Sequence, residues 1–394
     1  MMNPTAPCKG RGSAGEPVSQ REPTILQTNH LGKLIQLLLR RGYDLIGPIE
    51  RDGAIVYERI ESVEELPQAW TDEQEPGRYR LRESARPALF GYAVGPQSWK
   101  KYLHPPDEKL FCAERDGATF RILNNRTQRR RPYAFLGVRA CELAAIAVQD
   151  RVLLGDKFPD PSYQALRQDL FIVAVQCTQS AATCFCVSMG TGPQVRDGFD
   201  LALTELKGGE GHRFVVKAGS ARGGELLAQL ETTPANDGLA QEAEDAVSAA
   251  ACQQVRSVDT AGIKDLLYAN FEHPQWDNIA TRCMGCGNCT MVCPTCFCTA
   301  VEDVSDLIGG HAERWRRWDS CFTLNFSYIH GGCVRESMKA RYRQWLTHKF
   351  ASWIDQFGSS GCVGCGRCIT WCPAGIDVTE EIRAIRETTN NGKS

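Results

Sequence analysis

Apolar positions along this chain recur first at alternating strand and helix spacings and later at helix spacing alone. "HLGKLIQLLLRRG" (30–42) has helical periodicity and a stop at Gly42. "YDLIGPIERDGAIVYERI" follows, two apolar runs joined by Asp52-Gly53, which predicts a hairpin. From Glu64 to Arg86 the chain is polar and predicts no element. "PYAFLGVRACELAAIAVQDRVLLG" reads as a strand running into Val138 and a helix from about Cys141. "QDLFIVAVQC" is a nearly continuous apolar run, as expected of a strand buried on both faces, and "HRFVVKAG" is a third strand. Alternating strands and helices predict an α/β domain up to about Leu230. From Leu226 to about Ala280 the spacing is helical. Farther on, "VRESMKARYRQWLTHKFASWIDQF" sets Met338, Tyr342, Trp345, Leu346, Phe350, Trp353, Ile354 and Phe357 on one helical side, a stripe expected to pack in a core.

These patterns give an α+β chain with a flexible leader (1–28), an N-terminal α/β domain (29–230), a helical linker (231–280) and a cysteine-rich domain (281–388) with a helical insertion (300–358). The tail "TTNNGKS" is expected to be disordered. Its GKS is no phosphate loop, because position 387, where that motif needs Gly, is Glu.

Composition narrows the function. Lys plus Arg is 45 against 47 Asp plus Glu, a net charge of −2, which gives no sign of a nucleic-acid or membrane-surface protein. The basic runs "TQRRRP" (Thr127 to Pro132) and "ERWRRW" (Glu313 to Trp318) read as solvated faces, with an acidic partner's docking patch as the alternative. No apolar run has the roughly 18 residues of a membrane span. The N-terminus lacks the apolar centre of a signal peptide, so the expectation is a cytoplasmic protein. Nineteen cysteines in such a compartment point to metal rather than disulfides.

"CMGCGNCTMVCP" (Cys283 to Pro294) and "CVGCGRCITWCP" (Cys362 to Pro373) share four cysteines, two glycines and a proline at identical offsets. This C-x2-C-x2-C-x3-C-P spacing is that of two-cluster bacterial ferredoxins, in which the fourth cysteine serves the other cluster. Each iron of a [4Fe–4S] cubane takes one soft thiolate, and the glycines let the backbone curl around it. The pattern assigns Cys283, Cys286, Cys289 and Cys372 to one cluster and Cys362, Cys365, Cys368 and Cys293 to a second. Zinc prefers two separated pairs of ligands and fits this spacing poorly.

Four more cysteines stand out in the α/β domain. Cys141 and Cys177 each follow an apolar strand, and Cys184 and Cys186 lie on the loop after Cys177. If the two strands are parallel neighbours, the four thiols meet at one carboxyl edge and could hold a third [4Fe–4S] cluster; the alternative is small buried side chains packing the strand ends. Cys296, Cys298, Cys321 and Cys333 are expected to pack around the ferredoxin clusters, a fourth site being the alternative. Cys8, Cys112 and Cys252 are isolated. No G-x-G-x-x-G follows a strand, no histidine lies in a metal or nucleophile motif, and no nickel-binding pairs are present, so no residue is assigned a catalytic role.

"FLGVRACELAAIAVQDRVLL", "FIVAVQC", "TCFCVSMGTGP", "GFDLALTEL", "CTMVCPTCFCTAVEDV" and "RRWDSCFTLNFSYIHGG" together resemble the beta subunit of cytoplasmic sulfhydrogenases, the NAD(P)-linked [NiFe] hydrogenases. The electron-input subunit of anaerobic sulfite reductases is similar. The resemblance runs from about His30 to Arg386. It implies a heteromeric complex in which a flavin-containing gamma subunit exchanges electrons with NAD(P)H and small and large hydrogenase subunits carry the nickel-iron centre. The beta chain would relay electrons between them, with polysulfide reduction to hydrogen sulfide as a further activity of that half. Two alternatives stand beside this: that the chain serves such a sulfite reductase, and that it is a stand-alone iron–sulfur oxidoreductase binding flavin near Cys141 and Cys177.

Overall fold

The computed structural model describes residues 22–85, 88–123, 131–155, 157–208 and 211–391. Most of the leader, with Cys8, and the basic run from Thr127 to Arg130 lie outside the described residues. Among the described residues, the strands of three or more residues in chain order are β1 (Thr24–Gln27), β2 (Asp44–Arg51), β3 (Ala54–Arg59), β4 (Trp70–Glu75), β5 (Arg78–Glu83), β6 (Asp107–Asp116), β7 (Thr119–Leu123), β8 (Tyr133–Val138), β9 (Phe171–Val175), β10 (Leu201–Gly208), β11 (Gly211–Ala218), β12 (Thr232–Pro234), β13 (Thr299–Ser305) and β14 (His311–Trp318).

The largest sheet has the order β12-β1-β11-β10-β9-β8-β2-β3. Its middle strands β10, β9, β8 and β2 run parallel, and antiparallel pairs close both edges. The parallel strands are buried on both faces, which is why they read as continuous apolar runs. Phe171, Val173 and Leu136 meet Leu34, Ile35 and Leu38 of the helix Leu31–Arg40 on one side. Phe135, Ile172 and Ala174 meet Leu143 and Ile146 of the helix Ala140–Leu153 on the other. The β2–β3 turn has positive φ at both Asp52 and Gly53, the primed-turn geometry that an Asp-Gly pair supplies.

A second core surrounds the ferredoxin motifs. Trp276, Phe322, Tyr342, Trp345, Phe350, Ile369 and Val378 form it, together with Ile263, Leu267 and Ile279 from helices of the 231–280 stretch. The other helix of that stretch, Asp237–Cys252, lays Ala243 against Leu206 and Val215 of the large sheet instead. The aromatic stripe packs as its spacing predicts, on the helix Met338–Thr347, a π-turn over His348–Ser352 and a last turn Trp353–Phe357.

Four segments differ from the pattern reading. The end of the stretch read as a flexible leader (1–28) is strand β1, held between β11 and β12 by backbone pairing in the large sheet. Residues 300–358 are not helical throughout: they open on β13 and β14, which extend β6 and β7 into the four-stranded sheet β13-β14-β6-β7. The polar stretch after Glu64 contains the β4–β5 hairpin, whose turn donates Gly77 N–H to Ile369 O at 3.1 Å and whose strand β5 sets Tyr79 tilted against Trp371, centroids 5.1 Å apart. The C-terminal helix Val378–Asn391 runs through Thr388 and Thr389, which cap carbonyls of their own preceding turn. No helix among the described residues is long and apolar enough to cross a membrane.

Candidate functional site

Each ferredoxin loop is built from two left-handed glycines followed by one short helical turn. Gly285 and Gly287 precede the turn Asn288–Met291, and Gly364 and Gly366 precede Arg367–Thr370. At the second loop the glycines do more than bend the chain. A Cβ on Gly364 would lie 2.7 Å from the Cys186 backbone, and one on Gly366 would lie 2.5 Å from Thr183 O. The Cys184–Cys186 loop therefore rests directly on the loop of Cys362, Cys365 and Cys368. Phe185 N–H donates to Gly364 O at 2.9 Å, and Thr191 Oγ1 to Val363 O at 2.7 Å. Gly364→Ala combines a left-handed backbone with this contact, so it is expected to cost more than about 1 kcal/mol. The midpoint of thermal unfolding checks it, an unchanged midpoint counting against the contact.

Cys283, Cys286, Cys289 and Cys372 line one cavity. Cys293, Cys362, Cys365 and Cys368 line a second. Each group thus draws its fourth thiol from the other motif. The cavities adjoin, with Cys368, Trp345 and Val378 lining both. Backbone N–H groups approach the sulfurs, Gly364 N to Cys362 Sγ and Ile376 N to Cys372 Sγ at 3.4 Å each. Burial pushes the Cys362 thiol up to about 12, so ionisation there calls for a cationic partner such as iron. Soft thiols around adjoining apolar cavities, with N–H groups turned to the sulfurs, fit [4Fe–4S] clusters. Among the described residues no three His, Cys, Asp or Glu side chains are grouped for a single metal ion.

The strands before Cys141 and Cys177 are parallel neighbours, β8 and β9, so both cysteines lie at one carboxyl edge of the sheet. Cys186 is the common neighbour of the group, within electrostatic reach of Cys141, Cys177 and Cys184. Buried Cys141 and Cys186 pack with Cys365 in one apolar cluster, against the second ferredoxin loop.

Buried charges surround these cysteines. Lys349, on the π-turn and 5 % exposed, donates its Nζ to Cys293 Sγ at 3.1 Å, Thr295 Oγ1 at 3.0 Å and Gly361 O at 3.1 Å. Arg367, between Cys365 and Cys368, is fully buried and donates to Glu142 Oε1 at 2.5 Å and to Gly95 O and Gln97 O at 2.9 Å each. Glu142 adjoins Cys141. Burial pushes the Cys365 thiol up, and the Arg367 guanidinium is the largest opposing influence. Neither cation is found by the cysteine spacing; the available signals were an Arg inside the second loop, and a Lys inside an aromatic stripe.

A 4Fe-4S dicluster domain family matches residues 282–376. Subunit beta of sulfhydrogenase 2 from Pyrococcus furiosus is 34% identical over 290 residues, which span 72% of this chain and 83% of that protein. The chain belongs to the sulfhydrogenase beta-subunit family. No solved structure matches it. The matched region takes in both cysteine motifs, and the large sheet lies outside it.

Proposed function

We propose that this chain is the electron-relay subunit of a heteromeric sulfhydrogenase-type complex. In this reading one [4Fe–4S] cluster is held by Cys283, Cys286, Cys289 and Cys372 and another by Cys362, Cys365, Cys368 and Cys293. Cys141, Cys177, Cys184 and Cys186 are the residues for a third. The observation that carries it is the adjoining pair of thiol-lined cavities, with Cys368 bordering both and Cys365 packed against Cys141 and Cys186. Bound there, each cluster supplies reversible one-electron storage. The chain's own residues set the spacing, keep the sites apolar, and place a buried cation beside Cys293 and another beside Cys365. Near the first cavity Cys286 is exposed, and Met284 is 71 % exposed, so that end opens to a partner surface.

The partners in this reading are a flavin-containing gamma subunit that reacts with NAD(P)H and the small and large subunits of a [NiFe] hydrogenase. Reduction of polysulfide to hydrogen sulfide is the activity assigned to the same half of the complex. The first experiment is iron and acid-labile sulfide per chain on protein purified without oxygen. About eight of each supports two clusters, and about twelve supports a third at the sheet edge. Fewer than about four, in a colourless preparation, would sink the relay.

A further inference from the structure

The lysines and arginines buried among the described residues are Lys100, Arg139, Arg213, Arg341, Lys349 and Arg367. Arg367 is paired with Glu142, and Arg213 with Glu242. The other four have no carboxylate within ion-pair distance among the described residues. A buried cation without a counter-charge is costly, so each of the four calls for compensation of another kind. Arg139 finds it in the carbonyls of Phe90, Tyr92 and Gln176, and Arg341 in those of Phe322, Arg335 and Glu336. The two lysines differ. Lys349 has a cysteine sulfur among its acceptors. Lys100, 4 % exposed, has a single acceptor, Cys296 O at 3.1 Å, and lies over the Trp318 ring at 3.9 Å from its centroid.

Both lysines converge on residues 293–298. Lys349 reaches Cys293 and Thr295 from the π-turn. It also borders a cavity shared with Cys296, Cys298 and Cys321, while Cys333 is turned to Ser327 Oγ at 3.1 Å. Lys100 comes from the α/β half of the chain. It opens the short helix Lys100–Leu103, directly after Trp99, whose indole is fixed on Glu142. Just past that helix His104 O accepts the Trp318 indole N–H at 2.9 Å, which holds the ring against the Lys100 ammonium. The two ferredoxin cavities are therefore charged unequally. No charged side chain lines the first, and Lys349 lines the second. The first has Arg341 at one remove, through Phe322, but three carbonyl oxygens enclose that guanidinium and oppose its field. Water at the exposed Cys286 also favours reduction at the first cavity, but it reaches one ligand of the set, whereas a fixed ammonium touches a ligand sulfur of the second.

We propose that Lys100 and Lys349 together make the cluster of the second cavity the first to be reduced, so that electrons collect there rather than at the solvent-facing cluster of the first. The proposal rests on the relay reading above. A reduced cluster is one charge more negative than an oxidised one, and two fixed ammonium groups beside residues 293–298 favour that form. The step is the gain of one electron from a low-potential protein donor, with no bond made or broken. The effect is mutual, because the added negative charge is the counter-charge that neither lysine finds in a carboxylate. Lys349 acts in contact with a ligand sulfur, and Lys100 acts from farther off. A unit charge about 12 Å away, at an effective dielectric constant of about 20, shifts such an equilibrium about tenfold. Loss of the Lys100 charge is therefore expected to change the oxidised-to-reduced ratio about tenfold, a midpoint shift of about 59 mV.

The test is a redox titration with dithionite, followed by electron paramagnetic resonance, on the full chain, iron-loaded and anaerobic. The signal that Cys286→Ser removes is that of the first cluster, and the signal that Lys349→Met moves is that of the second. In the parent chain the second is expected to appear first as the potential is lowered. Lys100→Met is expected to keep the parent's iron content and to lower the second midpoint by about 59 mV, leaving the first in place. Lys100→Arg, charged at every working pH, is expected to keep the parent midpoint. If Lys100→Met does not take up iron, Lys100→Gln, which retains a donor for Cys296 O, carries the same expected shift. A first-cluster signal that appears before the second overturns the proposal. So does a Lys100→Met chain with an unshifted midpoint and a lower unfolding temperature, which gives Lys100 a packing role alone. A parent chain that takes up no iron overturns the relay reading, whereas a fully loaded parent with an unshifted Lys100→Met overturns only this proposal.

Discussion

Glu142→Leu is expected to cost about 3–5 kcal/mol, and the double variant Glu142→Leu/Arg367→Leu distinctly less. Both side chains lie out of water, Glu142 1 % exposed and Arg367 not at all. The carboxylate accepts from Arg367, from the Tyr57 hydroxyl at 3.0 Å, from Trp99 Nε1 at 3.0 Å and from Arg139 N–H at 3.1 Å. Removing it strands the Arg367 cation and several donors in a place where water cannot replace them. Removing both charges leaves only unpaired neutral groups, a smaller penalty. The network also spans the molecule: Glu142 begins the helix after β8, and Arg367 belongs to the second ferredoxin loop. Its loss should loosen the docking of the large sheet on that loop. Unfolding midpoints of the iron-loaded single and double variants read this out. A single variant within about 0.5 kcal/mol of the parent, the scatter of an ordinary surface substitution, would remove the network from any account of how the two cores are held together.

The parts legible in the sequence are those fixed by neighbours along the chain. The Asp52-Gly53 hairpin follows from local turn chemistry, and the ferredoxin loops follow from a spacing that wraps one cluster at a time. β9 follows from a run apolar enough to be buried on both faces. What escaped depends on partners far away in sequence. "ERWRRW" reads as a solvated basic face, and Arg314 and Arg317 are part-exposed, but the run is also strand β14, with its charges matched across the sheet. Arg314 pairs with Asp303 at 2.6 Å, Arg317 pairs with Glu302 at 2.7 Å, and Arg316 meets both Glu108 and Asp160. No local rule joins a strand at Trp315 to one at Lys109. The same applies to the site. Spacing groups cysteines within each motif, whereas the contact of Gly364 with Cys186, and of Lys349 with Cys293, arises only when separate segments are folded together.

Lys349→Met is expected to lower the reduction potential of the second cluster by on the order of 100 mV while leaving the first nearly unchanged. A reduced cluster is one charge more negative than an oxidised one, so a fixed cation beside its ligand favours the reduced form. At an effective dielectric constant of about 20 and a charge separation of about 6 Å, the interaction is about 3 kcal/mol. With about 59 mV per tenfold for one electron, that energy corresponds to on the order of 100 mV. Methionine keeps the length and the apolar stem, so the change is mainly one of charge, though Thr295 and Gly361 each lose a partner. Lys349→Arg should retain most of the parent potential, which separates an electrostatic role from a packing one. The measurement is a redox titration followed by electron paramagnetic resonance on the anaerobic full chain. Lys349 touches Cys293, a residue of the first motif that lines the cavity of the second. The shift should therefore persist in a Cys286→Ser background, where the exposed cysteine of the first set is lost. If it disappears with that substitution, Cys293 serves the first cluster and the crossed assignment of the two motifs is wrong.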